Sequence, residues 1–379
     1  MRAIQRCRSF HEFPGIVGCC VNKRRLVKAI VRCLPVANQR TFSDTRHFEG
    51  WRKPDSDAVP VVQTPSAFFI IDKHWAHNVI EVSGLSKLSS GHKVVIFHAN
   101  PGSGLLIESL LGTCDNKQIA WEPRKVYQDY LESLAELYKS RFACSNYSFP
   151  GDRRLKIFDE LLKDDRQTTD DARYHIKIVG NVPEMYSFIP KLVMSLSGGS
   201  KFRLCRFGII EPVLIVSGYE YRLMTESQHF WQKTRHHRPA AYELFLRTEL
   251  LTTVPLSAFN DVVLKSTAFD YDQENLYLVR LSLRKDVNSV CNREDIGGIM
   301  VLLRIVSNIK AHRVIPAMER LCPDVGLTLL ELGISMMDKF YDIPLDMWPE
   351  IYRAVTTSSQ FSCSALYHIF LHKNTAVAA

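Results

Sequence analysis

Asn100-Pro101-Gly102-Ser103-Gly104 is the stretch of this 379-residue chain best suited to hold a ligand. It follows four apolar residues, Val94 to Phe97, and precedes Leu105-Leu106-Ile107-Glu108-Ser109-Leu110-Leu111. A glycine carries no Cβ, so backbone amides around it can approach a cofactor closely. The spacing predicts a buried strand, a tight turn and a helix, the arrangement that seats nucleotide-like ligands in α/β sheets. A plain strand-to-helix turn is the alternative. Two common fingerprints are excluded. The dinucleotide pattern needs a third glycine where Ile107 stands, and no phosphate-loop Gly-Lys-Ser/Thr follows.

Glu122 stands 18 residues after Gly104, at the end of the apolar run Gln118-Ile119-Ala120-Trp121. An acid at that distance, closing a second strand, is placed to accept ribose hydroxyls; a solvated acid at a helix start reads equally well. Trp231-Gln232-Lys233-Thr234-Arg235-His236-His237-Arg238-Pro239 is the densest basic stretch. As a loop it could grip phosphates through Lys233, Arg235 and Arg238 while Trp231 stacks on a base, or it could be a solvated surface turn. No Cys-x-x-Cys pair occurs, and His74, His77, His236 and His237 lack acidic or cysteine companions nearby, so no metal site is expected.

The elements that must position these residues follow from the apolar pattern. Asp72 is expected to cap a helix from Lys73 to Val82. Further helices are expected over Val126 to Leu137, Phe188 to Leu196, Tyr219 to Met224 and Ala241 to Leu250. Strands are expected at 142–146, at 174–180, at 207–216 with an interruption at Pro212, and at 275–283. Residues 149–173 read as a charged insert. Beyond Asp286 only helices are expected, at 296–309, 314–321, 325–336 and 347–355.

Charge divides the chain. Residues 1–42 carry nine Lys and Arg against Glu12 alone, which is the whole formal net charge of +8, so residues 43–379 are balanced. An Arg-rich, acid-poor start is the composition of a mitochondrial transit peptide, and Arg40-Thr41-Phe42-Ser43 resembles a matrix-protease cleavage site. A disordered nucleic-acid-binding arm is the alternative. The expected organisation is a transit peptide at 1–42, an α/β domain at 43–285 and a helical domain at 286–379, in the mitochondrial matrix. No apolar run reaches the roughly 18 residues of a membrane span. Nothing demands a dimer, and a monomer is expected.

In the order and spacing of its motifs, from about Ser66 to about Ser358, the chain resembles the rRNA adenine dimethyltransferase family. The glycine turn, Gly180-Asn181-Val182-Pro183 and the Phe207 to Met224 segment carry most of the likeness. The family's opening Asn-Phe-Leu-x-Asp corresponds to Phe68-Phe69-Ile70-Ile71-Asp72. Its Glu-x-Gly-Pro-Gly-x-Gly corresponds to His98-Ala99-Asn100-Pro101-Gly102-Ser103-Gly104, a form like that of the type-two mitochondrial members. The resemblance implies a Rossmann-like class I methyltransferase sheet with a small C-terminal all-helical domain. It also implies S-adenosylmethionine contacts at Ile70, Asn100, Gly102, Gly104, Glu122 and Asn146, and a catalytic Asn181.

Three departures weaken the implied enzyme: His98 for an acid, Asn146 for an aspartate, and Glu184 for the aromatic that stacks on the target base. Glu184 cannot stack, and its charge is costly against a base in a dry pocket; Tyr186, two residues on, is the nearest substitute. Efficient dimethylation is therefore not expected, and cofactor binding is expected to be weak or vestigial. The expectation from the mitochondrial branch is a transcription initiation factor that joins the mitochondrial RNA polymerase and helps melt promoter DNA. Its candidate contacts are Lys233, Arg235 and Arg238, with Arg203 and Arg206. The alternatives are a working S-adenosylmethionine-dependent mitochondrial small-subunit rRNA adenine dimethyltransferase and a fold kept as a protein-interaction scaffold.

Overall fold

Val94–Ala99 (β1) is buried along its whole length, as a strand covered on both faces must be. The computed structural model describes residues 68–85, 94–146, 174–182, 185–196, 204, 208–234, 236–259 and 274–375. The leader at 1–42, the lead-in at 43–64, the insert at 149–173, Pro183, Glu184, Arg203, Cys205, Arg206 and Arg235 lie outside the described residues.

In chain order, α1 (Lys73–Val82) precedes β1, and Asp72 does cap it, accepting the Trp75 N–H at 3.1 Å. There follow α2 (Leu105–Leu111), β2 (Lys117–Trp121), α3 (Lys125–Leu137), β3 (Phe142–Ser145), β4 (Tyr174–Gly180), α4 (Met185–Leu196) and β5 (Gly208–Val216). Then come α5 (Gly218–Thr225), α6 (Ser227–Lys233), α7 (Arg238–Phe245), β6 (Leu246–Pro255) and β7 (Asn275–Leu283). The C-terminal helices are α8 (Val287–Val290), α9 (Ile296–Val306), α10 (Val314–Leu321), α11 (Gly326–Glu331), α12 (Trp348–Thr357) and α13 (Ala365–Thr375).

The sheet runs β3-β2-β1-β4-β5-β7-β6, with β1 to β5 parallel and β7 antiparallel to both its neighbours. This is an α/β sheet of the Rossmann-like methyltransferase kind, followed by an all-helical region. The chain winds outward from β1 to β3 and then returns to β4 on the other side of β1. The switch point where such sheets seat ligands therefore lies at the C-terminal ends of β1 and β4.

Pro212 does not interrupt β5. It pairs with Ile178 of β4, while the β5–β7 ladder covers only Val213 to Val216, so no β7 partner needs the missing N–H. The expected helix at 241–250 is corrected: α7 ends at Phe245 and the chain continues as edge strand β6. Thr252, Thr253 and Val254 are β-branched, and β7 offers them a ladder. The expected helix at 325–336 stops at Glu331, because Gly333 turns left-handed at φ +86° and the Ile334 N–H closes on the Leu329 carbonyl. Helix α13 is not among the expected elements.

One face of the sheet packs α1 and α2 against Ile96, Val213 and Ile215. The other face forms a single apolar cluster running from Phe97 and Ile178 through Phe188 and Leu192 to Ile299, Leu303 and Trp348. The C-terminal helices thus share their core with the sheet. Trp231 and Trp348 meet edge to face at 5.7 Å within it, a pairing worth about 0.5–1.5 kcal/mol beyond area burial. Among the described residues no helix is long and apolar enough to cross a membrane, and no cluster of His, Cys, Asp and Glu could hold a metal ion.

Candidate functional site

The glycine turn lies at the end of β1 as expected, and its backbone explains the residue types. Asn100, Gly102 and Gly104 have φ of +54°, +62° and +78°. Asn100 is buried; its N–H donates to the Trp121 carbonyl at 3.0 Å and its Nδ2 to the Asn181 carbonyl at 2.9 Å. The close approach that Gly102 permits is to the chain itself. A Cβ there would collide with the Phe69 ring, and one on Gly104 would lie 2.9 Å from Leu131 Cδ2. The side chain over the turn is therefore Phe69. Ile70, the expected cofactor contact, instead bridges to Phe259 and packs in the apolar cluster with α1.

Glu122 follows β2 directly and is 1% exposed. Its Oε2 accepts the Gly102 N–H at 2.7 Å and Arg124 Nη2 at 2.7 Å; its Oε1 accepts the Arg124 N–H at 3.0 Å and Arg124 Nε at 2.6 Å. The Arg124 guanidinium also lies 4.9 Å from the ring centroids of both Phe69 and Tyr127, which meet edge to face at 5.1 Å. Behind this group is a cleft of about 260 Å³, lined by Glu122, Leu131, Cys144, Ser145 and the exposed Asn146. Glu122 and Asn146 border this cleft and offer polar groups of the kind a nucleoside such as that of S-adenosylmethionine would need, whereas Gly102 and Gly104 are covered by Phe69 and Leu131 and do not line it. The acid, however, is already engaged by an arginine.

His98, in the place of the family's acid, is buried between β2 and β4 and shares a 2.9 Å hydrogen bond with Gln118 Oε1 through Nε2. Burial pushes its pKa down to about 4, so it is a neutral imidazole in the sheet.

The second turn ends β4. Ala99 pairs with Gly180, whose φ of +120° and 2.5 Å separation between an added Cβ and the Ala99 carbonyl oxygen admit no side chain. Asn181 is 7% exposed. Its Nδ2 donates to the Ile215 carbonyl at 3.3 Å, its own carbonyl accepts from Asn100, and its Oδ1 has no partner among the described residues. Tyr186 is 48% exposed near the start of α4, and its ring meets those of His236 and His237 edge to face, each at 5.6 Å. The sequence signal for that cluster, two adjacent histidines, reads as a failed metal site.

The basic stretch is the largest correction. Trp231 lies in α6 and is fully buried, so it cannot stack on a base. Arg238 is 8% exposed: its Nη1 lies 2.7 Å from each Glu220 oxygen, and the Tyr242 hydroxyl donates to the same carboxylate at 2.7 Å. That guanidinium is not presented to a phosphate. Lys233 is exposed. Lys310, between α9 and α10, reaches back to donate to the carbonyls of Trp231, Thr234 and His236 at 2.6, 2.8 and 3.4 Å. Its Nζ lies 3.3 Å from the Trp231 ring centroid, and burial pushes its pKa down to about 7. Lys310 stands 79 positions from Trp231, and no local pattern announces it.

No family profile and no curated protein sequence matches the chain. Among solved structures it is similar to the 23S rRNA methyltransferase ErmE, at 11% identity and TM-score 0.42, over 76% of this chain and 98% of that one. It is similar to a dimethyladenosine transferase from Plasmodium falciparum at 14% identity and TM-score 0.43, over 82% and 98%. It is also similar to precorrin-6y C5,15-methyltransferase from Geobacter metallireducens GS-15 at 14% identity and TM-score 0.30, over 56% and 89%. Likeness at this level concerns the path of the chain and carries no activity with it.

Proposed function

We propose that this chain is a mitochondrial transcription initiation factor of the type-two mitochondrial transcription factor B kind, built on an rRNA adenine dimethyltransferase frame. It acts in the matrix as a monomer, beside the mitochondrial RNA polymerase, by capturing an unstacked base of melted promoter DNA. The observation that carries this reading is the Oδ1 of Asn181, buried at the switch point of the sheet and without a partner among the described residues. A buried amide oxygen without a donor is uncommon and costs about 1–3 kcal/mol. The exocyclic amine of a base taken out of its stack would satisfy it, and an aromatic face such as that of Tyr186 supports such a base by stacking. The Arg-rich start supports the compartment, and exposed Lys233 supplies charge for the DNA backbone.

The second reading is an S-adenosylmethionine-dependent small-subunit rRNA adenine dimethyltransferase, favoured by the same Asn181 and by Gly102, Gly104 and Glu122. The cofactor, when bound, supplies an electrophilic methyl group; Asn181 would hold the receiving amine in place.

A paired assay on the full chain separates the two. One half follows promoter-dependent run-off transcription with the cognate polymerase; the other follows methyl transfer to the small-subunit rRNA hairpin. The expected result is protein-dependent transcription that Asn181→Ala weakens on duplex promoters and that a pre-melted template restores, without methyl transfer. Methylation abolished by Asn181→Ala, with transcription unaffected, would replace the first reading with the second.

A further inference from the structure

We infer that Arg124 is a detachable latch on the nucleoside cleft: its guanidinium sits on Glu122 where the two ribose hydroxyls of a nucleoside would bind, and must leave before one enters. This rests on reading the cleft beside Glu122 as a nucleoside site. An ionised carboxylate offers about four lone-pair positions, and Glu122 has four donors, between 2.6 and 3.0 Å. Two of them, the N–H groups of Gly102 and Arg124, are backbone and cannot withdraw without unmaking the turn. The other two, Nε and Nη2 of Arg124, are one on each oxygen. They are replaceable as a pair by a vicinal diol, which also offers one donor to each oxygen.

The surroundings suit a part that moves. The Arg124 side chain keeps 24% of its surface in solvent while Glu122 keeps 1%, so the cation has a path to water and the acid has none. Phe69 and Tyr127 brace the guanidinium in the closed position, and Phe69 at the same time covers Gly102. Releasing the arginine uncovers the acid and removes one brace from the ring over the turn, while Gly102 stays covered until Phe69 moves as well. The occupant expected is a nucleoside with a free 2′,3′-cis-diol. Its apparent affinity is lowered by the fraction of molecules in which the latch is open.

The test is calorimetric binding of S-adenosylmethionine and S-adenosylhomocysteine to the full chain as wild type, Arg124→Ala and Arg124→Gln. Arg124→Gln keeps a neutral donor for Glu122 should the alanine variant fold poorly. The expected result is a gain in affinity of about tenfold or more in either variant, lost again when Glu122→Gln is added. In the wild type, the arginine Nε–H resonance of Arg124 should move to a solvent-exchanging position on saturation with S-adenosylhomocysteine. Wild-type binding with neither a gain in the variants nor movement of that resonance overturns the latch and leaves the nucleoside site standing. No binding to any folded form removes the site and the latch with it.

Discussion

The turns after β1 and β4 are neighbours in the sheet, and both depend on glycines at positive φ, yet they treat their polar groups in opposite ways. At the first, every lone-pair position of Glu122 is filled by the chain. At the second, Asn181 holds its backbone carbonyl and its Nδ2 in place, and its Oδ1 has no partner among the described residues. A saturated carboxylate adds rigidity to the fold, whereas a bare buried acceptor carries an unmet desolvation cost that a ligand can relieve. Two neighbouring turns of one sheet thus differ in readiness to bind, and at the first the difference is made by the side chain of Arg124.

The largest expected effect is at the buried ion pair between α5 and α7. Arg238→Ala or Glu220→Ala should each lower stability by about 3–5 kcal/mol, since either leaves a buried charge unpaired. Urea titration measures this. Unchanged stability with weakened DNA binding would return Arg238 to the nucleic-acid surface. Next in size is the first turn: Gly102→Ala should cost about 1–3 kcal/mol, because φ is +62° and the Phe69 ring fills the space. A thermal scan that finds Gly102→Ala as stable as wild type would mean that Phe69 is not seated on the turn.

A pH-dependent effect sharpens the contrast through Lys310, which holds the carbonyls beside His236. A lysine with pKa about 7 in the folded state and about 10.4 unfolded binds fewer protons folded, so rising pH favours folding between those values. Wild-type stability relative to Lys310→Met should therefore climb between about pH 7 and 10, by no more than about 1.4 kcal/mol per pH unit. A flat difference across that range would show that the ammonium keeps its proton when buried.

The sheet was largely legible in the sequence because apolar runs bounded by turn residues leave little choice. Tyr174–Gly180 and Asn275–Leu283 match their expected bounds, and the glycine turn and Glu122 stand at the ends of the expected strands. What stayed hidden depends on pairing. Strand β6 exists because β7 offers it a ladder, and its own leucines fit a helix equally well. Trp231, amid lysine and arginine, has the composition of a surface loop, yet its partners Trp348 and Lys310 arrive from the far end of the chain. Glu220 and Arg238 are 18 positions apart on separate helices, α5 and α7, so no pattern within either element pairs them. Arg124 stands two residues from Glu122 in plain view. Its grip requires the extended backbone, φ −83° and ψ 114°, that it adopts before α3.

The hydrogen bond from Asn100 Nδ2 to the Asn181 carbonyl makes the two turns one thermodynamic system. On the proposed reading, a nucleoside at the first turn that shifted Asn100 would disturb the donor on the Asn181 carbonyl, and so change the free energy of seating a base there. Reciprocity then requires the captured base to change nucleoside affinity by the same factor. A glycine at position 100, as in the motif the chain resembles, has no side chain to carry that link. On the proposed reading the asparagine would couple the two occupancies, letting a metabolite tune the hold on nucleic acid without touching it.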